Sequence, residues 1–163
     1  MKIQHTGLEA LSLEQRHSLE LECQKVIQQF YFYLDEKRYP DLADLFAAEG
    51  AWVRLGKELV GPAGILSAMQ ERDSWLTMHV VTNLIVRLVS PDMAETTQYV
   101  TLYRQEGYDP ASGPGPVVMP LGLLRHADTL VHRQGQWKFL RKASRAVMVN
   151  RERVTHYDKP NGA

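Results

Sequence analysis

Cysteine occurs once in the 163 residues, at Cys23, so the chain can close no internal disulfide and its fold must rest on a packed core. Cys23 sits among apolar residues at helical spacing, without an electropositive neighbourhood, and reads as a reduced core thiol rather than a nucleophile. Neither sign of charge dominates, with 19 Lys and Arg against 19 Asp and Glu scattered along the chain. That removes the electrostatic reason to expect nucleic acid or a membrane surface as a partner and favours a small neutral or weakly charged ligand. No window approaches the ~20 apolar residues of a membrane span. The opening "MKIQHTGLEALSLEQRH" lacks the apolar stretch of an export signal, so a cytoplasmic protein is expected. Gly-rich phosphate loops and paired Cys/His spacings are missing too, which leaves no sequence argument for a nucleotide, a metal or another cofactor. There are no internal repeats, and the length suits one domain.

What is present alternates in texture. From about Leu13 to Glu36, Leu19, Cys23, Val26, Ile27, Phe30 and Leu34 keep to one helical face, and Ser12 with Gln15 forms a capping-box pattern at the start. The segment "RYPDLADLFAAEG" predicts a short second helix, with Pro40 in its first turn, Leu42, Leu45 and Phe46 on one face and Gly50 as its stop. Next, "AWVRLGKELVG" predicts a hairpin around Gly56-Lys57, and Gly61-Pro62 opens a third helix running to about Asp73. Strands follow. "MHVVTNLIVRLVS" and "AETTQYVTLYRQE" are separated by Pro91-Asp92, and after the loop "GYDPASGPGP" segments from about Val117 to Arg133 and from Gln136 to Val149 pair across Gln134-Gly135. The expectation is an α+β fold: three N-terminal helices cover one face of a curved, mostly antiparallel sheet, with a pocket between the layers. An arm at 1–12, a domain at 13–149 and a polar tail at 150–163, frayed at "DKPNGA", complete it.

Asp35 falls in the last turn of the first helix, where its charge opposes the helix dipole by a few tenths to about 1 kcal/mol. Either it is a solvated end beside Lys37 and Arg38, or it tilts toward a pocket beside Tyr31. Strand alternation puts His79, Val81, Asn83, Ile85 and Arg87 on one face, and the apolar set Met78, Val80, Leu84 and Val86, with Thr82, on a face expected to be buried. A lone histidine is commonly a satisfied structural residue. Beside a carboxylate, however, the ring is oriented and its far nitrogen freed to act as a general base. Further on, His126 and Asp128 share a face and could add a second acid or an oxyanion stabiliser, although Asp128 could equally pair with an arginine of a neighbouring strand. Trp52, Trp75, Tyr99 and Tyr103 either line an aromatic pocket or pack as core and rim.

Three stretches, "YLDEKRYPDLADLFAAEGAW", "MHVVTNLIV" and "RHADTLVHRQGQWKF", resemble in order and spacing the SnoaL-like branch of the nuclear transport factor 2-like superfamily. The resemblance covers about Leu13 to Val149. It implies a cone-shaped α+β barrel around a deep apolar cavity, assembled as a homodimer or homotrimer. Scytalone dehydratase, hexachlorocyclohexane dehydrochlorinase and bile acid 7α-dehydratase, which this branch includes, use an Asp-His pair for proton abstraction without metal or cofactor. Asp35 matches the family's acidic position, His79 its histidine, and Trp52 an aromatic that lines the dehydrochlorinase pocket. Two positions depart: the polar residue often found five before the aspartate is Phe30 here, and the usual hairpin tyrosine is His126. The resemblance thus implies a cofactor-independent lyase or isomerase acting on a small hydrophobic molecule. Asp35 and His79 would be catalytic, and Tyr31, Trp52, Asn83, Tyr99, His126 and Asp128 would surround the ligand. The alternative is a non-catalytic ligand-binding or partner subunit of the same fold, like the β subunit of a ring-hydroxylating dioxygenase.

Overall fold

A computed structural model describes residues 7–54, 56–73 and 75–154. The beginning of the expected arm and the frayed "DKPNGA" end lie outside the described residues. Helix α1 (Leu13–Asp35) opens with the expected capping box. The Gln15 N–H donates to the Ser12 hydroxyl at 3.2 Å, and the Ser12 N–H donates to the Gln15 side chain at 2.8 Å. Cys23, Val26, Ile27, Phe30, Tyr31 and Leu34 form its buried stripe. Cys23 is fully buried, and burial, reinforced by Glu22 and Glu20, pushes its thiol up to about 12, so it packs as a protonated hydrophobe. The helix closes with a left-handed Lys37 (φ 55°) and an Arg38 N–H donating to the Tyr33 carbonyl at 2.8 Å, which is Schellman geometry without glycine.

Helix α2 (Tyr39–Asp44) is shorter than the sequence pattern suggests. Phe46 and Gly50 belong instead to strand β1 (Phe46–Arg54), where Phe46 pairs in parallel with Phe139. Gly50 is therefore a close-approach glycine rather than a helix stop, since a Cβ there would lie 2.4 Å from the Phe139 carbonyl oxygen. Strand β2 (Lys57–Val60) completes a hairpin through Gly56 (φ 75°), and α3 spans Gly61–Gln70. The long strands follow: β3 (Leu76–Ser90), β4 (Met93–Gln105), β5 (Gly122–Arg133) and β6 (Gln136–Val149). Gln134 and Gly135, at φ 51° and 80°, make the tight turn between the last two. The sheet order is β2-β1-β6-β5-β4-β3, antiparallel throughout except between β1 and β6. It curves without closing, so β2 and β3 are edges. Phe30, Phe46, Trp52 and Phe139 form the aromatic heart of the core between α1 and the sheet. Among the described residues no helix is long and apolar enough to cross a membrane.

One bulge decides which side of β3 faces inward. Thr82 pairs with Tyr99 and Ile85 with Thr97, so Asn83 and Leu84 together oppose a single residue, and Asn83 takes φ 51°. Before the bulge Thr77, His79 and Val81 point to the core; after it Leu84, Val86 and Leu88 do. The apolar set expected to be buried is thus split. Met78 and Val80 lie outside, 52 % and 47 % exposed. Because Asn tolerates the left-handed region and β-branched residues do not, Asn83→Val should cost roughly 1–2 kcal/mol in urea unfolding and Asn83→Gly little.

Candidate active site

Asp35 ends α1 and His79 lies three residues into β3, and the packing of that helix over that edge strand brings them together. The His79 Nδ1 is 2.6 Å from Asp35 Oδ1, and both side chains are more than nine-tenths buried. The backbone N–H of His79 donates to the other carboxylate oxygen, Oδ2, at 2.7 Å. The Thr77 hydroxyl donates to Oδ1 at 3.0 Å and itself accepts from Arg72 Nη2 at 3.2 Å, while Arg72 Nη1 reaches the Leu34 carbonyl at 3.4 Å. Three donors on one carboxylate offset its unfavourable place at a helix C-terminus. A carboxylate can only accept, so in the neutral ring Nδ1 carries the proton and Nε2 keeps its lone pair. Among the described residues, no hydrogen bond occupies that Nε2.

A second polar cluster lies beside the pair. The Tyr31 ring is tilted against His79 with centroids 5.4 Å apart and meets His126 edge-on at 5.7 Å. Its hydroxyl accepts from Lys142 Nζ at 3.2 Å, and Lys142 also donates to Asp128 Oδ2 at 2.9 Å. Gln98 Nε2 donates to the same oxygen at 2.7 Å, and the Ala143 N–H to Oδ1 at 3.2 Å. The partner of Asp128 is therefore a neighbouring-strand lysine rather than an arginine. Burial pushes the Lys142 ammonium down, opposed by Asp128, and burial together with the Asp128 charge pushes the Tyr31 phenol up. The Lys142 ammonium also lies 4.3 Å from the centre of the Phe30 ring, so a cation reaches from β6 the place where the resemblance leads one to expect a polar helix residue.

His126 has no partner on either ring nitrogen, and burial, then the charges of Lys142 and His79, lower it to about 2. Below about pH 6.5 the unfolded chain takes up a proton that the folded chain refuses, so this residue makes stability fall with acidification, by up to about 1.4 kcal/mol per pH unit. Urea midpoints at pH 7, 6 and 5 should therefore fall more steeply for the wild type than for His126→Leu. Equal slopes would contradict the assignment.

Of the expected ligand-lining residues, Tyr31 packs on the His79 ring, His126 meets Tyr31, and Asp128 is joined to Tyr31 through Lys142. Trp52 is buried in the aromatic core, stacked on Phe46. Asn83 is the exposed bulge residue, and Tyr99 alternates with buried Gln98 and Val100, which turns it to the outer face. The bulge and the strand alternation thus carry both away from the pair. Phe30, Tyr31 and Lys142 are buried and pack together beside the pair. Two grooves, of about 280 and 380 Å³, lie elsewhere, and neither is lined by Asp35 or His79. Sequence reasoning missed Thr77, Arg72, Gln98 and Lys142. The first two carry only their nearness to His79 as a signal, and Lys142 is turned inward by a register irregularity that alternation does not reveal. Among the described residues no group of three or more His, Cys, Asp or Glu side chains could hold a metal ion.

Helices laid on one face of an open mixed sheet form an α+β arrangement that matches the nuclear transport factor 2-like fold. Within it, residues 15–143 match the SnoaL-like domain, and the chain belongs to that family. No match was found among curated proteins. Similar solved structures include a candidate scytalone dehydratase from Novosphingobium aromaticivorans DSM 12444, at 18% identity and a TM-score of 0.74, covering 93% of this chain and 99% of that one. The hexachlorocyclohexane dehydrochlorinase LinA-type3 from Novosphingobium barchaimii LL02 is similar at 20% identity and 0.71, covering 91% and 100%. A type 2 LinA dehydrochlorinase is similar at 17% and 0.68, covering 92% and 99%. At these identities the likeness establishes the fold.

Proposed function

We propose that the protein is a cofactor-independent lyase or isomerase acting on a small hydrophobic molecule, with His79 as general base and Asp35 as the group that orients it. The observation that carries this is the 2.6 Å contact between Asp35 Oδ1 and His79 Nδ1. A free Nε2 lone pair can take a proton from carbon, and the carboxylate balances the imidazolium that results. Because Thr77 and the His79 backbone pin both oxygens, the ring is held without rearrangement during proton transfer. Dehydratases and dehydrochlorinases, the activities named for the similar structures, both remove a proton and a leaving group. Apolar side chains on the outer sheet face, Met78, Val80, Ile85 and Met148, support assembly as a homodimer or homotrimer within the same reading, which sedimentation would measure.

The test compares wild type and His79→Ala for proton abstraction from 5-nitrobenzisoxazole and for elimination from scytalone and hexachlorocyclohexane. Wild type is expected to accelerate at least one of them, and His79→Ala to lose roughly 10²- to 10⁴-fold. Unchanged turnover in His79→Ala removes the base. Isolation as an obligate complex with a larger oxygenase partner would instead favour the non-catalytic subunit.

A further inference from the structure

The segment between β4 and β5 builds a feature that the Asp35–His79 pair does not use. Leu76 opposite Gln105 and Met78 opposite Tyr103 share the outer face of the β3–β4 pair, and residues 115–118 fold beside them, leaving the groove of about 280 Å³ between. That segment is held in place. The Tyr108 hydroxyl donates to the Gly113 carbonyl at 3.0 Å, Asp109 Oδ1 accepts from the Ala111 N–H at 2.9 Å, and Gly115 comes so near β4 that a Cβ would lie 2.6 Å from the Gln105 side-chain oxygen. Arg153 ties it to β4, donating to the Arg104 carbonyl at 2.6 Å and to the Met119 carbonyl at 3.3 Å.

The lining combines apolar chains with one unanswered donor. Leu76, Met78, Val117 and Val118 supply the apolar surface, and Val117 is fully exposed. Arg104 lines the groove as well, its guanidinium 4.1 Å from the centre of the Trp75 ring, which fixes its plane. Nη2 donates to the exposed Glu106 at 2.8 Å, whereas Nε is buried and has no acceptor among the described residues. Native folds rarely leave a buried N–H in that state unless a ligand or water completes it. For a guanidinium the strongest complement is a carboxylate. The volume lies at the small end of ligand sites, so it suits a short chain rather than a fused ring system.

We propose that this groove binds a short, unbranched apolar carboxylate, its chain along Leu76, Met78 and Val118 and its carboxylate accepting from Arg104 Nε. The site stands apart from the general-base reading. Alternation puts the His79 ring on the opposite face of β3 from Met78, so the occupant touches neither Asp35 nor His79. It takes only the Leu76–Met78 end of the outer face, which leaves Val80, Ile85 and Met148 for assembly between copies. A guanidinium has five N–H donors, so Arg104 holds the ligand without giving up Glu106. Nε lies out of contact with solvent, so the neighbouring side chains move aside as the carboxylate enters.

The probe is octanoate, with octan-1-ol as its uncharged counterpart, read by the ¹³C methyl resonance of Met78. In wild-type protein octanoate should shift that resonance and leave the one from the buried Met69 in place. Affinity should rise roughly ten-fold for each two carbons from butanoate to octanoate. Arg104→Met keeps an aliphatic stem and removes the donor, so octanoate should bind roughly ten- to hundred-fold more weakly while octan-1-ol binds as before. Val117→Asp, at a fully exposed position, sets a negative charge on the groove and should also weaken octanoate selectively. A Met78 methyl unmoved at millimolar octanoate, or equal octanoate affinity in Arg104→Met, overturns the proposal. So does a Met78 resonance that changes on dilution of the protein but not with octanoate, because a second copy then covers the groove.

Discussion

Asp128→Ala lowers the unfolding free energy by about 3–5 kcal/mol, the largest stability loss expected of any single substitution near the site. Lys142 has no exposed surface and lies under the rings of Phe30, Tyr31 and Phe139. Removing Asp128 strands that ammonium in the core and frees the Gln98 amide and the Ala143 N–H as well. The double variant Asp128→Leu/Lys142→Met should recover most of the loss, because a buried pair replaced by apolar groups of similar volume is close to neutral. The sign of the pH effect follows from the charge. Without its partner, Lys142 sheds its proton more readily folded than unfolded, so Asp128→Ala should regain stability as pH rises toward the ordinary lysine value. Urea unfolding of the three proteins from pH 7 to 10 reads both effects.

Asp35→Asn should cut turnover roughly 10²- to 10⁴-fold while leaving the protein folded. Asp35 presents two acceptor oxygens: one takes the His79 ring proton and the Thr77 hydroxyl, the other the His79 backbone N–H. An asparagine has one oxygen. Satisfying the backbone N–H turns its NH₂ toward the ring, which forces Nδ1 to accept and moves the proton onto Nε2, the nitrogen that must be bare to act as base. The outcome is a folded protein in the wrong tautomer, measurable as lost kcat with an unchanged circular dichroism spectrum. Turnover equal to wild type would mean that Asp35 only holds the strand in place.

Much of this arrangement can be read from local pattern, and the failures share a cause. The stripe from Cys23 to Leu34 and the Gln134-Gly135 turn follow from a helical period and from backbone preferences, both properties of neighbouring residues. Phe46 reads as helix because Leu42, Leu45 and Phe46 have helical spacing, but its strand conformation is imposed by Phe139, far along the chain, through a parallel pairing that leaves no local mark. Asn83 looks like a pocket residue only if alternation runs unbroken through β3, and the bulge at Asn83 ends it. The inward turn of Lys142 has the same origin. The meeting of Asp35 with His79, 44 positions apart, is signalled by family resemblance and by the awkwardness of an acid at a helix end, not by periodicity.

The bond from Asp35 Oδ2 to the His79 N–H has a further effect, because β3 is an open edge of the sheet. A main-chain donor facing away from the sheet is the group onto which another chain could add a strand, and here a negative charge already occupies it. Asp35 therefore covers a main-chain donor of the edge strand as well as orienting the His79 ring. Asp35→Ala should form larger particles on concentration than Thr77→Val, in which that edge donor stays covered, as light scattering would show.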